Sequence, residues 1–225
     1  MDKIFPEVGR VALLDDIDEI LIPEEALAGR IRELGRAISH DYIGKEPLLV
    51  GILTGAVLFT SDLLRQITIP VHLDFMATSS YGPKTESSGI VRILKDLDQS
   101  IEGRHVIIVD DIIDTGLTMD YLLETLKARY PASLKVCALL DKVPRRLRHV
   151  PIDYRGFEIP DKFVVGYGLD YAGRYRNLSF ICVLKSQIYG SEPIPSNFPV
   201  PRRTLDQPVS PASAPVAGSK PHPVR

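Results

Sequence analysis

Asp110, Asp111 and Asp114 fall within five positions, and Thr115, Gly116 and Thr118 follow directly. Before them stands the branched apolar run Ile107-Ile108-Val109, and after them a helix-like pattern begins. In physical terms this is a buried strand, an acidic strand end, a tight turn and a helix N-terminus. A helix N-terminus offers free backbone N–H groups and a partial positive charge, which suit a phosphate. Carboxylates beside a phosphate would repel it unless they address hydroxyls or a bridging cation. The combination points to a sugar phosphate with a divalent metal nearby. Asp110 and Asp111 could hold a vicinal diol or a hydrated metal, or could be solvated or N-capping residues. Asp114 could cap the helix that follows. Gly116 permits close approach of the backbone to a ligand, and Thr115 and Thr118 add hydroxyl donors.

Elements on either side must position these groups. Pro23 with Glu24 and Glu25 reads as a helix start, and Ala26, Leu27, Ile31, Leu34, Ala37 and Ile38 then form one apolar face. The continuous apolar run Leu48 to Leu53 predicts a buried strand. Thr54-Gly55-Ala56 is a tight junction before a helix over Val57 to Gln66. Val71 to Met76 predicts a strand with His72 and Asp74 on one face; His72 reads as a partly exposed strand histidine or, less simply, a catalytic one. The loop from Ser79 to Gly89 is small, polar and long enough for a lid, with Ile90 to Leu94 as its return strand. His105 to Asp110 is the strand of the acidic motif, Leu117 to Arg129 its helix, and Leu134 to Leu140 another buried strand. The basic run Val143 to Arg148 reads as a solvated face. Phe163 to Tyr167 and Ser179 to Leu184 are the last strands, and residues 1 to 20, acidic at Asp15, Asp16, Asp18 and Glu19, a solvated lead-in.

Strands alternating with helices predict an α/β fold with a mostly parallel central sheet flanked by helices. Ligands bind such sheets beyond the carboxyl ends of the strands. Thr54, Asp110 with Asp111, and Asp141 with Lys142 all end apolar strands, so three reactive strand ends are expected at one edge.

Composition narrows the function further. At 225 residues, one domain with an appendage is expected. The net charge of −2 gives no electrostatic footprint for nucleic acid. No apolar run approaches a membrane span, and the N-terminus lacks the apolar core of a signal peptide, so a cytoplasmic protein is expected. Cys137 and Cys182 each lie in apolar runs and read as buried reduced thiols. Residues 191 to 225 hold nine of the 18 prolines, a composition that predicts a disordered Pro-rich tail over 190 to 225 after a domain over 1 to 189.

The stretch Val109 to Thr118 resembles the phosphoribosyl diphosphate (PRPP) loop of type I phosphoribosyltransferases. The wider chain, from about residue 10 to 189, is similar to bacterial hypoxanthine-guanine phosphoribosyltransferases. The likeness is carried by Asp74-Phe75-Met76, Ser79 to Gly82, Val91 to Leu97, Gly156 to Tyr171 and Arg176-Asn177-Leu178. It implies the type I fold with a small hood and a flexible lid loop. It also implies purine salvage: a 6-oxopurine base and PRPP, with Mg²⁺ as cofactor, give a nucleoside monophosphate and pyrophosphate.

By residue, the resemblance implies a 5′-phosphate cradle over Asp114, Thr115, Gly116, Leu117 and Thr118. Asp110 and Asp111 address the ribose hydroxyls, and Asp114 is the catalytic base for the purine N7 proton. Leu53, Thr54 and Gly55 form the pyrophosphate loop, which in the family contains a non-proline cis peptide, and Arg176 is the pyrophosphate arginine. Lys142 donates to the purine O6; by itself it reads as a solvated lysine. Phe163 and Ile112 sandwich the base, or are ordinary core, and Val164 offers its carbonyl. Asp170 is the metal-associated aspartate, and Ser80 and Tyr81 belong to the lid. Homodimers or homotetramers are implied as well. Two positions depart from many relatives: Thr54 stands where some have Lys, and Asp110 where many have Glu. The tail has no counterpart. A PRPP- or nucleotide-sensing regulatory protein on the same fold, or a phosphoribosyltransferase for another base such as xanthine, are the alternatives.

Overall fold

The computed structural model of the chain describes residues 13–80 and 91–189. Tyr81, most of the predicted lid loop and the Pro-rich tail lie outside the described residues. The elements in order are β1 (Ile17–Ile22), α1 (Glu24–Asp41), β2 (Leu48–Leu53), α2 (Val57–Gln66), β3 (His72–Ser80), β4 (Val91–Lys95), β5 (His105–Ile113), α3 (Leu117–Lys127), β6 (Ser133–Asp141), β7 (Tyr154–Glu158), β8 (Val164–Val165), β9 (Ile181–Leu184) and α4 (Ser186–Tyr189), with a 3₁₀ turn over Val143–Arg145.

Six strands form the main sheet in the order β4-β3-β2-β5-β6-β7. All neighbours are parallel except β3 and β4, which are antiparallel. A mostly parallel sheet flanked by helices is therefore present. The strand pleat sorts the apolar runs by parity. Leu49, Ile107, Val109, Cys137 and Leu139 pack with Leu27, Ile31, Leu34 and Ile38 of α1 and Phe59 and Leu63 of α2. Leu48, Val50, Ile52, Val106, Ile108, Val136 and Ala138 pack with Met119, Leu122, Leu123 and Leu126 of α3. Both faces of the sheet are covered, which is why these strands show no polar alternation.

A second sheet, β1-β9-β8, is small and antiparallel. It supplies the hood. Its first strand corrects the reading of residues 1 to 20 as a lead-in: Ile17 to Ile22 pairs with β9 through two register irregularities, with its acidic side chains largely exposed. β7 was also absent from the predicted elements. It is a short edge strand, and its carbonyls at Arg155 and Gly156 accept from the Arg30 guanidinium at 2.7 and 3.0 Å. Among the described residues no helix is long and apolar enough to cross a membrane.

Candidate active site

The carboxyl ends of β2, β5 and β6 bring the predicted groups to one edge. At β2 the Leu53–Thr54 peptide is cis. At β5 the strand does not stop at Asp110 as predicted but runs on to Ile113, with Ile112 and Ile113 paired to Leu140 and Asp141 of β6. Asp110 and Asp111 therefore lie within the strand. The Asp111 N–H donates to Asp110 Oδ1 at 3.1 Å, and the Ile112 N–H to Asp111 Oδ1 at 2.9 Å. Asp111 faces the β2 turn: a side chain at Gly55 would overlap its Oδ2.

Asp110 is buried, and among the described residues no lysine or arginine forms an ion pair with it or with Asp111. Burial, together with the adjacent Asp111 charge, holds the Asp110 carboxyl well above the usual carboxylate range. Burial also raises Asp111, opposed by the hydrogen bond from its neighbour and by the charge of Arg176. Such acids keep a large, unmet capacity to accept hydrogen bonds or a cation.

After β5 the chain turns through Asp114, Thr115 and Gly116 into α3, and Gly116 caps the helix at φ 84°. A hollow of about 100 Å³ lies against this turn, lined by Asp110, Ile112, Asp114, Thr115, Gly116 and Thr118 among others. Leu117 begins the helix. The hollow has room for a phosphate group, and the turn residues Asp114, Thr115 and Gly116 line it.

The Asp114 carboxylate faces two cations. Lys142 Nζ lies 3.9 Å from its Oδ2 and Arg145 Nε 3.6 Å from its Oδ1, and both cations also sit 3.9 Å from Asp161 Oδ1. These are long ion pairs, and Asp114 Oδ1 is sheltered without a hydrogen-bond partner among the described residues. Lys142 is 5% exposed, so it is not the solvated lysine that its position after a strand suggests. Beside this group Phe163 is 41% exposed and meets Tyr171 edge to face, centroids 5.7 Å apart. Val164 is buried in β8, and Ile112 is partly buried against the core.

Arg176 and Asp170 arrive from the turn before β9. Arg176 Nη2 pairs with Asp170 Oδ1 at 2.6 Å, and its Nη1 donates to the Gly168 carbonyl at 2.6 Å. The other Asp170 oxygen accepts the Gly173 N–H at 2.7 Å. Gly168, at φ 101°, has no room for a side chain against the Gly55 carbonyl. The β2 turn and the Asp170–Arg176 turn are thereby packed backbone to backbone. Among the described residues no three His, Cys, Asp or Glu side chains converge as a metal cage. Mg²⁺ rarely uses one; it takes one or two carboxylates and completes its shell with phosphate oxygens and water. The carboxylates of Asp170 and the β5 pair fit that chemistry. Ser80 ends β3, whereas Tyr81 lies outside the described residues.

Arg145, Asp161 and Tyr171 were not among the predicted site residues. Arg145 and Asp161 join the site only through the fold, although the basic run directly after Lys142 was a usable signal. His72 is exposed, 3.4 Å from Glu46, and takes no part in the site.

A crossover sheet whose strand ends carry an acid pair, a phosphate-sized turn and a guanidinium defines a class. The phosphoribosyl transferase domain matches residues 17–172, and the chain belongs to that family. A hypoxanthine-guanine phosphoribosyltransferase from Mycobacterium avium is 52% identical over 180 residues, 77% of this chain and 89% of the relative. The bifunctional protein TilS/HprT of Listeria monocytogenes is 49% identical over 181 residues, 80% of this chain, which spans 28% of that longer protein. A hypoxanthine phosphoribosyltransferase from Staphylococcus aureus superposes with a TM-score of 0.77 at 45% identity, covering 79% of this chain and 97% of that one. The architecture is the type I phosphoribosyltransferase fold.

Proposed function

We propose that the protein is a purine-salvage enzyme that transfers the 5-phosphoribosyl group of PRPP to hypoxanthine or guanine. The observation that carries this reading is the set of strand-end groups. An acid pair with no ion-pair partner among the described residues stands beside a turn with room for a phosphate, and a buried lysine and an exposed aromatic ring stand on its other side.

Asp110 and Asp111 accept from the ribose 2′- and 3′-hydroxyls, which relieves the isolation of the two strand-end acids. The shorter Asp110, where many relatives have Glu, leaves space for an intervening water. The N–H groups and hydroxyls from Asp114 to Thr118 hold the 5′-phosphate. Arg176 grips the diphosphate, and the backbone of Leu53, Thr54 and Gly55 meets its other side. Thr54 contributes no cation, so the backbone supplies more of that contact. Phe163 and Ile112 stack on the purine, Lys142 donates to its O6, and Val164 offers a carbonyl. Adenine presents a donor at position 6, so Lys142 disfavours it.

As the bond between ribose C1 and pyrophosphate breaks, positive charge builds on the ribose. The Asp114 carboxylate stabilises that charge and accepts the proton from purine N7. Asp170 would help to hold Mg²⁺, which when bound would supply charge neutralisation to the leaving group. Ser80 and Tyr81 belong to a lid that excludes water. The protein works in the cytoplasm as a homodimer or homotetramer, with a Pro-rich tail over 190 to 225 that takes no part in turnover.

The test is a substrate panel. Purified protein with Mg²⁺ and PRPP is expected to convert hypoxanthine or guanine to the monophosphate and to leave adenine unchanged. PRPP binding without turnover of any 6-oxopurine overturns the reading.

A further inference from the structure

The basic run Arg145 to Arg148 follows Lys142, and the sequence treats it as a solvated face. The structure places Arg146 differently. Its side chain is 17% exposed, and it pairs with Asp141, the last residue of β6, whose side chain is 2% exposed. The second Asp141 oxygen is held by Arg155 Nε at 3.0 Å. Asp141 thus fixes the Arg146 guanidinium from behind.

Further contacts of the Arg146 guanidinium go to the phosphate turn. Its Nη2 also lies 3.3 Å from the Ile113 carbonyl, and its Nε 3.3 Å from the Asp114 carbonyl. The backbone around it completes the pattern. The Lys142 N–H donates to the Ile113 carbonyl at 3.0 Å, and the Leu147 and Arg148 N–H groups donate to the Thr115 carbonyl at 2.9 and 3.1 Å. Three consecutive carbonyls of the turn are therefore all drawn toward the segment 142–148.

A trans peptide is planar, with its C=O and the next N–H on opposite sides. Tying the carbonyls of residues 113, 114 and 115 to one side turns the N–H groups of 114, 115 and 116 to the other. None of these three N–H groups has a partner among the described residues. Residues 114, 115 and 116 themselves line the hollow against the turn. The close fit admits only glycine at 116, since a Cβ there would stand 2.6 Å from the Arg148 carbonyl and 3.0 Å from Arg146 Cδ.

We propose that Arg146, anchored on buried Asp141, is a positioning residue for the phosphate cradle: it sets the peptide orientation that aims three N–H groups at the 5′-phosphate. This rests on the phosphate assignment made above. Arg146 does not touch the ligand itself. Its removal should weaken recognition of the phosphate and spare recognition of the base and ribose.

The experiment compares binding of IMP with binding of inosine, which lacks only the phosphate, by calorimetry. In Arg146→Met the IMP-to-inosine affinity ratio is expected to fall roughly 10- to 100-fold, the effect of displacing a positioned group by about 1 Å. Arg146→Lys should recover part of the ratio, because an ammonium can reach Asp141 and one carbonyl but cannot span the fork. Arg155→Met removes the other partner of Asp141 without touching the turn, and its ratio should stay at that of the unmodified protein. An unchanged ratio in Arg146→Met overturns the proposal, as does an equal fall in Arg155→Met. Should Arg146→Met not fold, an unchanged ratio in Arg146→Lys overturns it equally. Absence of turnover in the unmodified protein counts against the enzymatic reading, whereas an unchanged ratio in a protein that turns over counts against Arg146 alone.

Discussion

Two groups of aspartates on the same sheet live under opposite conditions. At the base of β3 and β4, Lys95 meets Asp74 at 3.3 Å and Asp98 at 3.1 Å, and Arg129 grips Asp96 with both terminal nitrogens at 2.8 Å. Burial pushes the Asp74 carboxyl up, but the Asp98 and Phe75 N–H groups and the Lys95 ammonium outweigh it, and the net shift is downward. The Arg129 guanidinium lowers Asp96. At the carboxyl end of β5 the situation reverses: burial raises both Asp110 and Asp111, and the Asp111 charge raises Asp110 further. The first group stabilises the fold. The second strains it, and its acids make sense only with a partner that arrives from outside. Unpaired buried charge marks the ligand-facing end of this sheet better than charge itself does.

The sharpest way to break this contrast is to alter residues of the candidate site on one side and a paired acid of the frame on the other. Asp114→Asn should lower turnover about 10²- to 10⁴-fold and leave PRPP binding and the melting temperature near those of the unmodified protein; steady-state kinetics and a thermal melt check both. Lys142→Ala should lower kcat/KM for hypoxanthine roughly 10- to 100-fold and shrink the preference over adenine, read from the two substrates side by side. Asp74→Ala should do the opposite. Urea unfolding should show about 1–3 kcal/mol lost, with kcat intact, because the Asp98 and Phe75 N–H groups and Lys95 lose their common acceptor.

The same contrast fixes the sign of the pH dependence. Asp74 and Asp96 have lowered folded pKa values, so their stabilisation is complete above the ordinary value of 3.8 and disappears as the pH falls through the lowered ones. Asp110 is raised, so its favourable term is complete below 3.8 and is lost as the pH climbs through its folded value. Melting temperatures from pH 3 to 8 should therefore rise less steeply with pH than the paired acids alone would give, and Asp110→Asn should steepen the rise. An unchanged profile would remove Asp110 from the strained group. The smallest effect is expected at the tail: truncation after residue 189 should move the unfolding free energy by less than about 0.5 kcal/mol and leave turnover unchanged.

The sequence made the parallel core legible because Leu48 to Leu53, His105 to Val109 and Leu134 to Leu140 are continuous apolar runs, and only burial on both faces tolerates them. It did not reveal β1 or β7. Ile17 to Ile22 carries Asp18 and Glu19 and forms an irregular, half-exposed strand, so its composition matches a solvated segment. Tyr154 to Glu158 is short and carries Arg155 and Gly156, which local preference places outside a strand; pairing with β6 overrides that preference. At the candidate site, the acidic turn and the glycines were readable from type and spacing. Arg146 was not, because a basic run looks alike whether it faces water or a buried carboxylate some distance away in space. The pairing of Arg176 with Asp170 is of the same kind: each residue type was visible, and the 2.6 Å contact was not.

The most direct test of the central claim is the melting temperature of Asp110→Asn at neutral pH, measured with and without PRPP and Mg²⁺. The asparagine keeps the acceptor for the Asp111 N–H and removes the isolated charge. The account predicts that the ligand-free variant melts at or above the unmodified protein and that its PRPP-induced shift is much reduced. A variant that melts lower while keeping the full PRPP shift would contradict it, because Asp110 would then belong with the acids that hold the fold together.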